Sequence, residues 1–195
     1  GDLARPGEGS VLLDRAAYTA PGLVRLTVFD PARVASNNVS VLLRSTITEA
    51  AGENFVLNAS GSYGAFTGAV ATVLGVAAAD AKLGINTGDT IQAHYLDGSA
   101  TPRVATAVAD LVSPVISAVA THVDLGVITV SWLTSEPAYS VLRYGTSTNS
   151  PFPLAVTNAA PTTAHSFRLG GLTAGQTYFF YVVSADAAGN AATNN

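Results

Sequence analysis

The chain has no cysteine in its 195 residues. That excludes disulfides, zinc–thiolate sites and thiol nucleophiles. Cationic charge is scarce as well: Lys82 is the single lysine, and the nine Lys and Arg residues are scattered against thirteen acids, for a net charge of −4. Phosphate backbones and anionic lipid surfaces both need clustered cations, so neither nucleic acid nor membrane surface is an expected partner. Charged residues make up 11% of the chain, against about 25% in ordinary domains. The polar surface must therefore be Ser, Thr, Asn, Gln and backbone. No apolar run reaches the roughly 18 residues of a membrane-spanning helix, so no insertion is expected. The opening Gly1-Asp2-Leu3-Ala4-Arg5-Pro6 lacks the apolar stretch of a secretory leader, and the sequence reads as a mature chain or an excised piece.

Catalytic constellations are lacking too. The histidines are His94, His122 and His165, with no i,i+2 or i,i+4 pairing that would suit zinc. They are expected to be surface residues of strands. Asp89, His94 and Asp97 lie close in sequence. Yet no serine sits on a Gly-x-Ser-x-Gly elbow to complete a hydrolytic triad. Glu49 and Glu53 flank a turn and read as a solvated loop, not as paired acids across a cleft. No catalytic or cofactor-binding residue is assigned, and the chain is not expected to be an enzyme.

What the sequence has is 48% hydrophobic residues, enough for a core, arranged with period two. In Tyr178 to Ala185, Tyr178, Phe180, Val182 and Ser184 share one face, while Phe179, Tyr181, Val183 and Ala185 share the other. Such stiff β-branched and aromatic side chains suit a pleated surface. Tyr178 follows Leu172 across a Gly-containing turn, a spacing that fits a tyrosine corner, whose hydroxyl bonds to the backbone upstream. The same alternation runs through Leu23–Phe29, Val39–Leu43, Thr90–Asp97, Ile128–Leu133 and Tyr139–Tyr144, with further strands at 11–13, 53–58, 66–74, 103–111 and 165–169. Tyr18 to Gly22 and Ser135-Glu136-Pro137 read as turns. Gly75 to Lys82 reads as a helical turn or loop. The expected fold is all-β: two sandwiches in tandem, residues 1–112 and 113–195, joined by the short Ser113-Pro114 linker.

Three ordered motifs in the first half are Val24-x-Leu26-x-Val28-x-Asp30, Gly64-Ala65-Phe66-Thr67-Gly68 and Gly88-Asp89-Thr90-Ile91-x-Ala93-x-Tyr95-x-Asp97. Over about residues 9–110 they resemble an immunoglobulin-like repeat of large secreted and surface proteins of bacteria and archaea. Members of that group often carry an Asp-x-Asp-x-Asn run after the second strand, whereas here Asp30 precedes Pro31-Ala32-Arg33. No metal or cofactor is therefore expected, the residual candidate being Ca²⁺ held by Asp30 and Asp97 with backbone carbonyls. In the second half, Trp132-x-Thr134, Glu136-Pro137-Ala138, Tyr144-Gly145-Thr146, Leu172, Tyr178 and Asp186-x-x-Gly189-Asn190 resemble a fibronectin type III domain of the bacterial extracellular kind, over about 113–195. Ala191-Ala-Thr-Asn-Asn offers few residues for a last strand, so that sheet edge is expected to be short or open.

These resemblances imply a non-catalytic module at the cell surface or outside the cell, serving as a spacer or subunit of an assembly. The competing reading is an accessory module of a secreted protease or polysaccharide hydrolase. Tyr139, Arg143, Phe179 and Tyr181 are the candidate contact face, able to stack a sugar or dock another domain. The Gly/Pro-rich arm 1–9 and the segment after Asn190 are bland. Ordering them costs about 1–2 kcal/mol per residue, so they are expected to contact other domains or copies of the chain, for example by strand addition.

Overall fold

A sequence that alternates apolar and polar residues buries one face of a pleated sheet, and most of this chain does so. The computed structural model describes residues 9–61, 63–75, 80–98, 101–149 and 151–194. These form fourteen strands and one 3-10 helix, with no α-helix among them. The chain divides into two compact units, Gly1–Leu111 and Val112–Asn195, each with its own sheet and core. The arm expected over 1–9, except Gly9, and the centre of the helical turn expected over 75–82 lie outside the described residues.

The first unit contains β1 (Ser10–Leu13), β2 (Ala17–Tyr18), β3 (Gly22–Phe29), β4 (Asn38–Ser45), β5 (Glu53–Ala59), β6 (Ala65–Leu74), β7 (Leu83–Ile85), β8 (Thr90–Tyr95) and β9 (Arg103–Ala109). Their order is β1-β3-β6-β5-β4-β8-β9-β2, with β7 parallel to β6. β5 pairs with β6 through only Asn58↔Thr67 and Ala59↔Phe66, so the sheet folds over there into two layers. Val24, Leu26, Val28 and Phe66 from one layer meet Val41, Leu43, Ile91 and Tyr95 from the other, all at 2% exposure or less. Tyr18 belongs to a strand and not to a turn. It is buried, and its hydroxyl donates to Asp14 Oδ1 at 2.6 Å.

The conspicuous polar residues of this unit are structural knots. Asp30 ends β3 by capping the 3-10 helix Pro31–Arg33. Its Oδ1 accepts from Ala32 N at 2.9 Å, and its Oδ2 from the Tyr95 hydroxyl at 2.6 Å. Asp89 accepts four hydrogen bonds, from Ile47 N, Thr48 N, Thr48 Oγ1 and Asn86 N. Burial alone would raise its pKa, but these donors outweigh burial and lower it. Glu49 is buried, not solvated: its Oε2 accepts from Gly84 N at 2.6 Å and ties the loop to β7. Burial, with repulsion from Glu53 and Asp80, pushes its carboxyl up despite that bond.

The second unit contains β10 (Ile116–Asp124), β11 (Val127–Gly145), β12 (Leu154–Leu169), β13 (Phe179–Ala185) and β14 (Ala191–Asn194). The turn expected at Ser135-Glu136-Pro137 is absent: β11 runs straight through it. Its first half pairs with β10 and the end of β12, and its second half with the start of β12 and with β13. The β11–β12 ladder is interrupted between Leu133 and Ala138. Pro137 sits in that gap, where its missing N–H breaks no ladder bond. The two halves thus belong to the two layers of one curled sheet, an immunoglobulin-like sandwich. The core is Val130, Trp132, Leu142, Leu169 and Val182, with Leu172 and Phe180 packed against it. Tyr178 is not in that core; it is half-buried before β13. Its hydroxyl accepts from Thr173 N at 3.1 Å, which is the corner geometry.

Asp186 builds the last hairpin. Its Oδ1 accepts from Gly189 N and Asn190 N at 2.7 and 2.9 Å, and its Oδ2 from Asn190 Nδ2 at 2.7 Å. This turn, with Gly189 at φ 106, delivers the four-residue β14 antiparallel to β13. The segment after Asn190, expected to seek another chain, is thereby engaged in its own sheet.

Candidate functional site

Period two decides the outer face of the second unit. Turning Leu142, Val182 and Ser184 inward obliges Tyr139, Val141 and Arg143 of β11 and Phe179, Tyr181 and Val183 of β13 to face outward. Burial follows this division: Leu142, Val182 and Ser184 are fully covered, whereas Tyr139 is 39% and Phe179 37% exposed. Register aligns the two rows, with Tyr139 opposite Ala185, Val141 opposite Val183, Arg143 opposite Tyr181 and Gly145 opposite Phe179. All four residues of the expected contact face therefore lie on one surface of two adjacent strands. Phe152 packs against Tyr181 at 5.5 Å between ring centroids. Phe179 and Phe152 also border a recess of about 480 Å³. Among the described residues the Arg143 guanidinium has no hydrogen-bond or ion-pair partner, and the hydroxyls of Tyr139 and Tyr181 have none either. Among the described residues the face is thus apolar and aromatic, with an unpaired guanidinium and two free phenols.

The remaining candidates resolve differently. Asp30 and Asp97 do come to one region, on either side of Tyr95, but their oxygens are used by the protein. Asp97 Oδ2 accepts from Gly9 N at 3.1 Å and pairs with Arg103 Nε at 2.7 Å, and both Asp30 oxygens are engaged as above. A Cβ on Gly9 would lie 2.6 Å from Asp97 Cβ, so the chain is packed tightly at this point. The Asp30 bond, added to burial, raises the Tyr95 phenol. The pair serves as a latch between β3, β8 and the chain entering β1.

Asp89, His94 and Asp97 do not combine, because each carboxylate is held by its own donors. His94 is half-buried beside Gln92 Oε1 at 3.3 Å. His122 is exposed on β10, as expected of a strand surface. His165 departs from that expectation. It is 4% exposed and stacks on Trp132 at 5.0 Å and 18°. Its Nε2 lies 3.1 Å from Thr134 Oγ1, which itself donates to the Glu136 carbonyl at 2.7 Å. The threonine proton is therefore committed elsewhere, and His165 carries its own proton on Nε2, an assignment made from the network. This arrangement has the wrong polarity for a base activating a hydroxyl nucleophile. Burial lowers the His165 pKa, and its Nδ1 is buried without a partner.

Among solved structures, the chain has a remote likeness to the FN1-FN3 domains of chicken CNTN1 (TM-score 0.46, 14% identity, covering 95% of this chain and 67% of that one). It has a weaker likeness to a cytokine receptor complex (TM-score 0.35, 15% identity, 93% and 92% covered). A third is a DUF3823 family protein from Parabacteroides merdae (TM-score 0.29, 12% identity, 94% and 91% covered). No family model matches the sequence, and no curated protein matches it.

Proposed function

We propose that this chain is a non-catalytic extracellular structural module, a subunit or spacer of a surface assembly, and that the outer face of β11 and β13 joins copies of it. The observation that carries the reading is the aromatic row Tyr139, Tyr181 and Phe179 around the unpaired Arg143. Exposed aliphatic side chains occur elsewhere on the described surface, such as Ile47 and Leu125, but here an aromatic strip surrounds a cation, which suits a contact surface. Such a face is self-complementary: a two-fold axis sets Arg143 of one copy over a tyrosine or Phe179 of the next, as a cation–π pair. Two strands give a small interface, so each contact is weak and gains strength through repetition in an assembly. The non-catalytic part of the reading is supported by the hydrogen-bond polarity at Thr134–His165 and the engaged carboxylates of Asp30, Asp89 and Asp97.

Sedimentation velocity over a concentration series tests the proposal. The wild-type chain should show a sedimentation coefficient that rises with concentration, and a Tyr139→Ser/Phe179→Ser variant of unchanged melting temperature should not. A wild-type chain that stays monomeric throughout contradicts it. If that chain binds insoluble polysaccharide through the same four residues, the accessory-module reading takes its place.

A further inference from the structure

A second surface, on the first unit, has different chemistry. β4 and β8 are interior strands, bonded on both flanks, and their register with β5 sets Asn54, Leu42 and His94 in one row. Beside this row lies a groove of about 520 Å³ whose polar wall includes Arg33, Asn38, Ser40, Asn54 and His94, with Leu42 and Leu96 as apolar lining. No carboxylate stands among its described lining residues, in a chain with an excess of acids. The side chains of Arg33, Asn38, Ser40 and Asn54 have no hydrogen-bond or ion-pair partner among the described residues.

The histidine adds an acceptor. Arg44 Nε donates to Gln92 Oε1 at 2.8 Å, and His94 Nε2 lies 3.3 Å from the same oxygen. That oxygen can only accept, so the His94 proton sits on Nε2 and Nδ1 is left as a lone-pair acceptor. Burial and the neighbouring Arg44 charge lower the His94 pKa and favour this neutral form.

We infer that the groove is a binding site for an acidic saccharide, a uronate-bearing chain whose carboxylate pairs with Arg33 and whose hydroxyls meet Asn38, Ser40, Asn54 and His94 Nδ1. A lone inorganic anion would leave the amides and the acceptor nitrogen unused. A peptide would find no open ladder, because the flanking strands of β4 and β8 are already in place. Guanidinium–carboxylate recognition favours arginine at such a position. The inference is independent of the contact face on β11 and β13.

Titration of the whole chain with tetragalacturonate, its methyl ester, cellotetraose and a tetraglutamate peptide, followed by amide chemical shifts, tests it. The acid should bind saturably, with shifts concentrated at Arg33, Asn38 to Arg44, Asn54 and Gln92 to Leu96. Methyl esterification or Arg33→Gln should each weaken binding on the order of ten- to a hundredfold, and Arg33→Lys by less than Arg33→Gln. His94→Gln should weaken binding of the acid while leaving the melting temperature unchanged. The inference is overturned by no saturable binding of tetragalacturonate, by binding that survives Arg33→Gln, or by tetraglutamate or cellotetraose binding as tightly as the acid.

Discussion

Arg143 lies directly opposite Tyr181 in the β11–β13 ladder, and no acid pairs with it among the described residues. Directly opposed side chains stand about 4.5–5.5 Å apart at Cβ, so the guanidinium and the phenol share one patch of surface. Placing that patch outward follows from burying Trp132, Leu142 and Val182, and the same core gives the first prediction.

Trp132 is 1% exposed, stacked on His165 and tilted against Phe167, and donates through Nε1 to Ser184 Oγ at 3.0 Å. Trp132→Ala should destabilise the second unit by about 3–5 kcal/mol through the cavity it leaves. Ser184→Ala should cost about 1–3 kcal/mol by orphaning the indole N–H. Chemical denaturation of the two variants checks both values, and a loss below about 1 kcal/mol for Trp132→Ala would refute the packing.

The tyrosine corner predicts a smaller effect. Tyr178→Phe removes the acceptor of Thr173 N and keeps the ring beside Tyr144, 6.4 Å away. The expected loss is about 0.5–1.5 kcal/mol, measured against wild type in the same denaturant series. Tyr178→Ala should lose more, because the ring contact goes as well.

How much of this was legible in the sequence depends on whether a strand has an inside. β13, β8 and the Trp132 segment alternate cleanly because one face of each packs on a core. The outer contact face could be read with them, being the complement of the core. β10 escaped notice: its residues are mostly exposed, and a bulge with Ala118 at φ 51 breaks the alternation. The first half of β12 escaped for the same reason, because Leu154 to Thr163 has almost no buried side and Pro161 reads as a breaker. β7 is three residues long and pairs in parallel with β6, which no local pattern announces. The groove was illegible because the fold brings Arg33, Asn54 and His94 together from three distant segments. The burial of Glu49 and His165 was hidden too, since each depends on one remote partner, Gly84 N or Thr134.

Each unit carries groups that make its stability depend on acid. His165 has its folded pKa lowered by burial, so below its unfolded value of about 6.5 the unfolded chain binds the additional proton. Its contribution to the stability of the second unit is present above that pH and is lost as pH falls toward the folded pKa. Unfolding midpoints followed by Trp132 fluorescence should fall between neutral pH and mildly acidic conditions, and His165→Gln should flatten that dependence.

In the first unit, His94 acts in the same sense as His165, and Asp89 adds a carboxylate response at lower pH. The lowered pKa of Asp89 means that its contribution is present above the unfolded value of about 3.9 and is lost as pH falls through the folded one. Asp89→Asn should cost about 2–4 kcal/mol at neutral pH, since an amide cannot accept all four donors. The penalty should shrink in acid, where the wild-type carboxyl also protonates. Glu49 works in the opposite sense. Its raised pKa favours the folded state at low pH and loses that contribution as pH rises through the folded value. Urea midpoints of Asp89→Asn and Glu49→Gln at pH 7 and pH 3 separate the two.

The contact face itself is tested most directly by amide chemical shifts of the isotopically labelled chain, recorded as the concentration rises. The account predicts progressive shifts and broadening confined to Tyr139–Gly145 and Phe179–Ala185, abolished by Tyr139→Ser/Phe179→Ser. Spectra that do not change with concentration, or changes confined to other strands, would contradict it.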